Sequence, residues 1–558
     1  MTEPAGYGAI LDVAGGANTI SLNSSQPQLI VSGSQPLELY TAAGGSGSIS
    51  SGAGSSVFIT PSVGGGSYHY IGVGGSDTIL ALSGSQGVTL LNPGNLVFLG
   101  SGADTYTGLS GADTVTAAGG TDTISEGYRS DIFLASGSNA VNTSLFDTVF
   151  ANGGADTINA FDGGDLIVNQ SADLVVTTGE VFEVANPFFF ASTVLGGQGR
   201  LVFTGGEPAP QPGDVGQFYP AVPDLVVGGT AGNNRITAGS SGATIVGGGD
   251  GDVLTASPFQ QFTTLIIAGP GAETISAAAS AGAETLFGGS GADLILGSAG
   301  PDTIEAGSGA ATIVTGANQN LVGLAASAGA LVESQGQDTI FGGANAATIS
   351  ATGPAVVFGG TGPLALFTGG GSASLVGGAG SATVNAGAGG GLFQGSAAGG
   401  NLLAAGTGAA TLIGGGGGDV LVAGGAATDI LAAGSGAETL LGGAATGDNV
   451  FFAGTGADLV QGGSGNDVIE AGQGGGTLSG GGGANLFVFA NGRTGGTDLI
   501  TDFTPGQDHL ALQGYGADAV SAVTASQTAT AAGAMLTLPD GAQIVFFHLA
   551  AITAGSFV

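Results

Sequence analysis

The amino-acid sequence predicts an all-β protein, a parallel β-roll or β-solenoid of Gly-rich nonapeptide repeats closed by a C-terminal β-rich capping segment. Three observations carry this expectation. Glycine supplies 117 of the 558 residues, yet 42% of the chain is hydrophobic; no strict glycine triplet runs through it as in collagen, and Ile, Leu, Val and Phe recur too regularly for disorder. Nonapeptides repeat in phase, most plainly GGSGADLIL at 288–296 and GGSGNDVIE at 462–470, and a fixed period marks a stacked repeat. Each nonamer joins six turn-forming residues to a triplet with a large apolar centre, the size of a short strand.

The glycine-rich six must adopt positive φ and bring backbones close together, which glycine does at least cost. In the following triplet the central residue points inward and its neighbours outward. Two nonamers make one coil with a strand on each side, and coils stack as parallel strands about 4.8 Å apart. One coil cannot bury its apolar residue alone, so stability is a nearest-neighbour sum along the stack.

Taken in order, residues 1–98 form a degenerate β-rich region with fragments of phase such as GVGGSDTIL at 72–80. A first array occupies 99–206, beginning LGSGADTYT (99–107), GLSGADTVT (108–116), AAGGTDTIS (117–125) and EGYRSDIFL (126–134). The segment EPAPQPGDVGQFYPAVPD at 207–224 has proline spacing that disfavours helix and sheet alike and predicts a linker. A second array fills 225–483. From about 484 to 558 the phase is lost and a different all-β pattern begins.

Charge narrows the function. Forty acidic residues face four basic ones, Arg129, Arg200, Arg235 and Arg493, for a net charge of −36 without a single lysine. Nucleic acid and anionic membranes repel such a polyanion, and chemistry that needs a lysine is excluded. Hard cations bound through oxygen, above all Ca²⁺, are its natural partners. There is no cysteine, hence no disulfide scaffold or thiolate metal site. The opening MTEPAGYGAILDVAGG has no basic region before a long apolar core, so no Sec signal peptide is expected. No transmembrane segment is expected either.

The nonamers GGSGADLIL and GGSGNDVIE resemble the RTX, or haemolysin-type calcium-binding, repeats of bacterial proteins secreted by type I systems. GTDLITDFTPGQDHLAL at 496–512 looks like the segment that follows such arrays, and the closing LTLPDGAQIVFFHLAAITAGSFV is similar to their uncleaved secretion region. The resemblance implies an extracellular or cell-surface protein, the type I secretion machinery as partner, and Ca²⁺ held between coils by the aspartate at repeat position 6 and loop carbonyls. Ligands then come from positions 18 residues apart, which selects the pairs Asp104 with Asp122, Asp113 with Asp131, and Asp147 with Asp165. Asp156, Asp293, Asp302, Asp419, Asp458 and Asp467 hold the same position without a paired aspartate, and Glu284 stands 18 residues before Asp302. In the middle of the second array the position is Ala311, Ala347, Ala373, Ala382, Gly391 and Ala410, which predicts a calcium-free spine.

No catalytic constellation accompanies the repeats. The histidines His69, His509 and His548 sit in no HExxH motif, and Glu180 with Glu183 lacks an aromatic cleft signature. The expectation is therefore a non-enzymatic structural protein that self-associates on the cell exterior as a surface layer, fibre or matrix. Rows of threonine at position 7 leave a second possibility, an adhesin or ligand-binding module engaging a cell-surface polysaccharide. A third is an RTX enzyme with an unrecognised catalytic part in 1–206.

Overall fold

The computed structural model describes residues 8–12, 17–22, 27–160, 164–169, 173–178, 191–205, 223–239, 242–258 and 263–558. The chain divides into two compact units, Met1–Gly291 and Ala292–Val558. Each is a parallel β-solenoid, as the repeat predicts.

In the first unit, successive strands alternate between two sheets. On one side Thr78–Ser83 pairs in parallel with Leu96–Ser101, which pairs with Thr114–Ala117. On the other, Gly87–Leu90 pairs with Thr105–Gly108, which pairs with Thr123–Ser125. The strand centres Ile79, Val97 and Val115 face Val88, Tyr106 and Ile124 across the interior, and all six are buried. The ladder shows no break at residue 98. Even the strand Pro27–Ser32 pairs in parallel with Ser46–Ser50, although little of the nonamer survives there. Larger interior residues replace the short aliphatic centre in this region, as where the rings of Phe58 and Tyr70 stack 5.3 Å apart.

Residues 207–222 of the expected Pro-rich linker lie outside the described residues, as do Glu180 and Glu183. The strands that flank the linker remain in one ladder: Thr193–Leu195 pairs with Asp224–Val227, and Leu201–Thr204 with Arg235–Thr237.

The second unit repeats the arrangement from Asp293–Leu296 onward. The loss of phase at 484 does not end it. Leu486–Ala490 still pairs with Val468–Glu470, and His509–Gln513 pairs with Leu486–Ala490. The pattern changes only afterwards, with the short helix Ala519–Ala525 and an antiparallel hairpin of Gly533–Thr537 and Gln543–Phe547. The hairpin closes the stack because Gln543–Phe547 also pairs in parallel with Thr497–Ile500. Phe487, Phe503 and Phe546 pack beneath it. No helix among the described residues is long and apolar enough to cross a membrane.

Gly120 shows why the turns need glycine. Its φ is +104°, and a Cβ there would stand 1.9 Å from the carbonyl oxygen of Gly102 one coil earlier. Coils stacked at strand spacing leave no room for a side chain at such a turn.

Candidate metal columns

Two residues before each strand centre, a second side chain points into the roll. Stacking aligns these residues into a column along each sheet. In the first unit one column contains Ser56, Asp77, Asn95, Asp113, Ser130, Asp147 and Asp165; the other contains Gln86, Asp104, Asp122, Asn139 and Asp156. All are buried. Each side chain reaches back to the coil before it and accepts the backbone N–H of the matching residue. Gln86 N–H donates to Asp104 Oδ1 at 2.7 Å, Asp104 N–H to Asp122 Oδ1 at 3.0 Å, and Asn139 N–H to Asp156 Oδ1 at 3.0 Å. In the other column Asn95 N–H donates to Asp113 Oδ1 at 2.8 Å and Asp147 N–H to Asp165 Oδ1 at 2.9 Å. The bonds satisfy buried amides that the short strands leave outside their ladders.

The structure therefore brings Asp104 beside Asp122, and Asp147 beside Asp165, as the 18-residue spacing predicts. It does not pair Asp113 with Asp131. The coil between them is one residue short, so Asp113 N–H donates to the Ser130 hydroxyl, 17 residues on, at 3.2 Å. Asp131 is an exposed strand residue beside Thr114. Asp156 meets Asn139, whose side-chain amide also donates to Asp156 Oδ1 at 2.9 Å.

In the second unit Asp293, Asp302, Asp419, Asp458 and Asp467 are all buried in the columns. One column runs Asp429, Asn449, Asp467, Asn485 and Asp508, alternating carboxylate with amide, each linked to the next by a backbone N–H. At four of these aspartates the second carboxylate oxygen is also occupied. Asp302 Oδ2 accepts the Ser298 N–H, Asp419 Oδ2 the Gly415 N–H, Asp458 Oδ2 the Gly454 N–H and Asp467 Oδ2 the Gly463 N–H, at 2.6, 2.7, 2.7 and 2.8 Å.

The alanine coils close differently. Ala347, Ala355, Ala373 and Gly391 donate their N–H to the backbone carbonyls of Pro363, Ser372, Gly390 and Ala409 in the next coil. Main chain thus replaces the aspartate at these four positions, but not along the whole expected spine: Ala382 N–H donates to Asn401 Oδ1 and Ala410 N–H to Asp429 Oδ1.

Among the described residues, the buried carboxylates with an unsatisfied oxygen lie in the first unit, except Asp498 in the second. Asp104 Oδ2, Asp122 Oδ2 and Asp156 Oδ2 are buried without a hydrogen-bond partner. Burial pushes the Asp104 carboxyl up to about 6, against a smaller lowering from the Gln86 amide. Burial likewise raises Asp122 to about 6, and Asp156 is raised for the same reason. Anionic oxygens held in a buried column without donors are what a hard, oxygen-seeking cation neutralises. Calcium is the cofactor of this repeat, and this column fits it. No three His, Cys, Asp or Glu side chains converge on one point among the described residues. A cation held by Asp104, Asp122 or Asp156 would therefore need further oxygen ligands, such as turn carbonyls. Bound there, it would neutralise the buried charge and cross-link successive turns; the aspartates would hold it, and the ladder bonds fix their rotamers.

Sequence reasoning missed several column residues. Asp77 and Asp338 stand at position 6 of GVGGSDTIL (72–80) and ESQGQDTIF (333–341), while Asp252, Asp429, Asp498 and Asp508 follow one- or two-residue insertions that blur the phase. Asparagine was the larger omission, since Asn95, Asn139, Asn320, Asn401, Asn449 and Asn485 occupy the same buried place. The usable signal is any Asp or Asn two residues before an inward aliphatic.

A family model described as the RTX calcium-binding nonapeptide repeat (four copies) matches residues 98–125, 143–169, 278–313, 421–446 and 444–478. No curated protein matches the chain, and no solved structure does.

Proposed function

Starting from a chain that carries RTX calcium-binding repeats, we propose a secreted, non-enzymatic structural protein that self-associates outside the cell, its coils locked by calcium. Repeats of this family typically belong to secreted, extracellular proteins, with type I secretion as the usual route. The observation that carries self-association is one sheet face of the second unit. Outward residues of successive strands there include Leu321, Phe341, Val356, Phe358, Val376 and Leu392, each more than one-third exposed. Phe341 and Phe358 stack at 5.1 Å with their rings 9° from parallel. From Leu321 to Phe452 this face carries no charged residue, and Glu305 and Glu470 bound it. It runs roughly 34 Å along the stack at strand spacing.

A flat, uncharged, apolar face on a chain of net charge −36 suits a second copy of itself, because like charges oppose approach everywhere else. Electron microscopy and sedimentation of the full chain with Ca²⁺ test this. Ordered assemblies are expected, and Phe358→Glu is expected to disperse them. A monomer at high concentration in calcium defeats the reading. A second reading rests on the same face: Thr303, Thr339 and Thr411 alternate along it with aliphatics, a pattern open to a cell-surface polysaccharide. Glycan binding by an unassembled chain, abolished by Thr339→Leu, would favour it.

A further inference from the structure

Three consecutive turns of the first unit carry side chains where their neighbours carry glycine. Before Asn95 and Asp165 stand Gly94 and Gly164, whose φ values of +82° and +75° are left-handed. Between those coils the same place is taken by Ala112, Arg129 and Phe146, at +55°, +62° and +63°. Bulky residues are strained in this conformation, and strain kept where glycine would remove it points to a use for the side chain. Arg129 and Phe146 are both exposed, with Arg129 Cζ 5.8 Å from the centre of the Phe146 ring. In the same turns Leu109 and Tyr128 are each more than half exposed.

Arg129 is one of four cations on a chain of net charge −36, yet the one ion pair among the described residues joins Arg493 to Glu470. A guanidinium left without a carboxylate, set among exposed aromatic and aliphatic groups, complements an acid flanked by apolar surface. The second unit offers that combination. Glu305, at one end of the uncharged face, is exposed and lies over Gly323 in the next coil. Beyond Gly323 in the same row stand the stacked rings of Phe341 and Phe358. Glu470, at the other end of the face, is already engaged by Arg493.

We propose that the turn cluster of Leu109, Tyr128, Arg129 and Phe146 docks on the Glu305 end of the uncharged face of a second copy. Arg129 meets Glu305 there, and the apolar groups of the cluster cover Phe341. The inference rests on the self-association reading and supplies the surface that the face receives. The two surfaces differ, so the contact is heterologous and every copy offers both halves. Such a contact builds a ring or a filament rather than a two-fold pair.

Sedimentation of the full chain in Ca²⁺ tests the contact. Arg129→Glu and Glu305→Arg are each expected to raise the concentration needed for assembly by about tenfold. An equimolar mixture of the two variants is expected to assemble as wild type does, because each contact then joins an arginine to a glutamate. A chain with both Arg129→Gly and Phe146→Gly is expected to melt no lower than wild type and yet to stay dispersed, which separates docking from folding. Wild-type assembly by Arg129→Glu overturns this contact alone, as do two dispersed variants that remain dispersed when mixed. A double-glycine chain that melts below wild type assigns the side chains to the fold and overturns it too. Unchanged assembly of Arg129→Glu with lost retention on an acidic polysaccharide gives the cluster to a glycan instead. A wild-type chain that stays monomeric defeats the self-association reading beneath the proposal.

Discussion

Asp122 carries two opposed demands on one carboxylate. Oδ1 must accept the Asp104 amide, while Oδ2 stays buried without a donor. Asparagine keeps the acceptor and removes the charge, as Asn139 does in the next coil, where its Oδ1 accepts the Asp122 N–H. Asp122→Asn is therefore expected to stabilise the calcium-free protein by about 1 kcal/mol and to reduce the further gain that Ca²⁺ confers. Thermal melts with and without chelator measure both; a variant less stable in chelator contradicts the charge argument. Gly462 makes the complementary point about the turn. A Cβ there would stand 2.2 Å from the Gly480 carbonyl oxygen and 2.6 Å from Asp467 Oδ2. Gly462→Ala is expected to cost about 2–3 kcal/mol in urea unfolding, much of it through the displaced Asp467.

Within a coil, the two ways of closing position 6 give different responses to pH. Asp77, Asp104, Asp122 and Asp147 are raised from 3.8 to about 6, chiefly by burial. A raised folded value means that the native state holds protons more tightly. The resulting stability is fully present below about 4 and is lost as pH rises through 6. The calcium-free first unit is thus expected to exchange its amides faster at pH 7 than at pH 5, after correction for intrinsic rates, and Ca²⁺ is expected to restore protection at pH 7. Residues 347–373, closed by main chain, are expected to change little under either treatment. A uniform response along the chain contradicts this division. The period, the inward apolar row and the split between aspartate and alanine coils were all legible in the sequence, because each depends on residue type at a fixed offset. Ser130 in place of Asp131 was not, since dropping one residue from a turn moves the inward position without altering the motif. Nor were Asn95 and Asn449 recognised as column members: the motif specifies a ligand, whereas the fold requires an acceptor.

For the whole molecule, the charge of −36 against four arginines makes calcium a counterion as well as a ligand. Assembly through the face from Leu321 to Phe452 is accordingly expected to need millimolar Ca²⁺ more than equal ionic strength of Na⁺. Light scattering in matched salts checks this, and equal assembly in both removes calcium from the process. The continuity of the ladder from Leu486 to Gln513 was hidden because irregular spacing looks like a change of fold, although strand pairing requires only an apolar centre in register.

One feature of the columns gives the stack a direction. Every ladder bond runs from the amide of one coil to the side chain of the coil that follows it, as from Asn449 to Asp467 and from Asp467 to Asn485. The face of a coil that looks towards the N-terminus bears hooks, and the opposite face bears only eyes. A segment settling on the N-terminal side of a formed stack is caught by groups already in place, whereas one settling on the other side must order its own side chains first. Folding of the second unit should therefore travel backwards along the chain from the hairpin that seals it. Pulse-labelled exchange should find Asp467 and Asn485 protected before Asp302 and Asn320; the reverse order would mean that the hooks follow the fold and do not guide it.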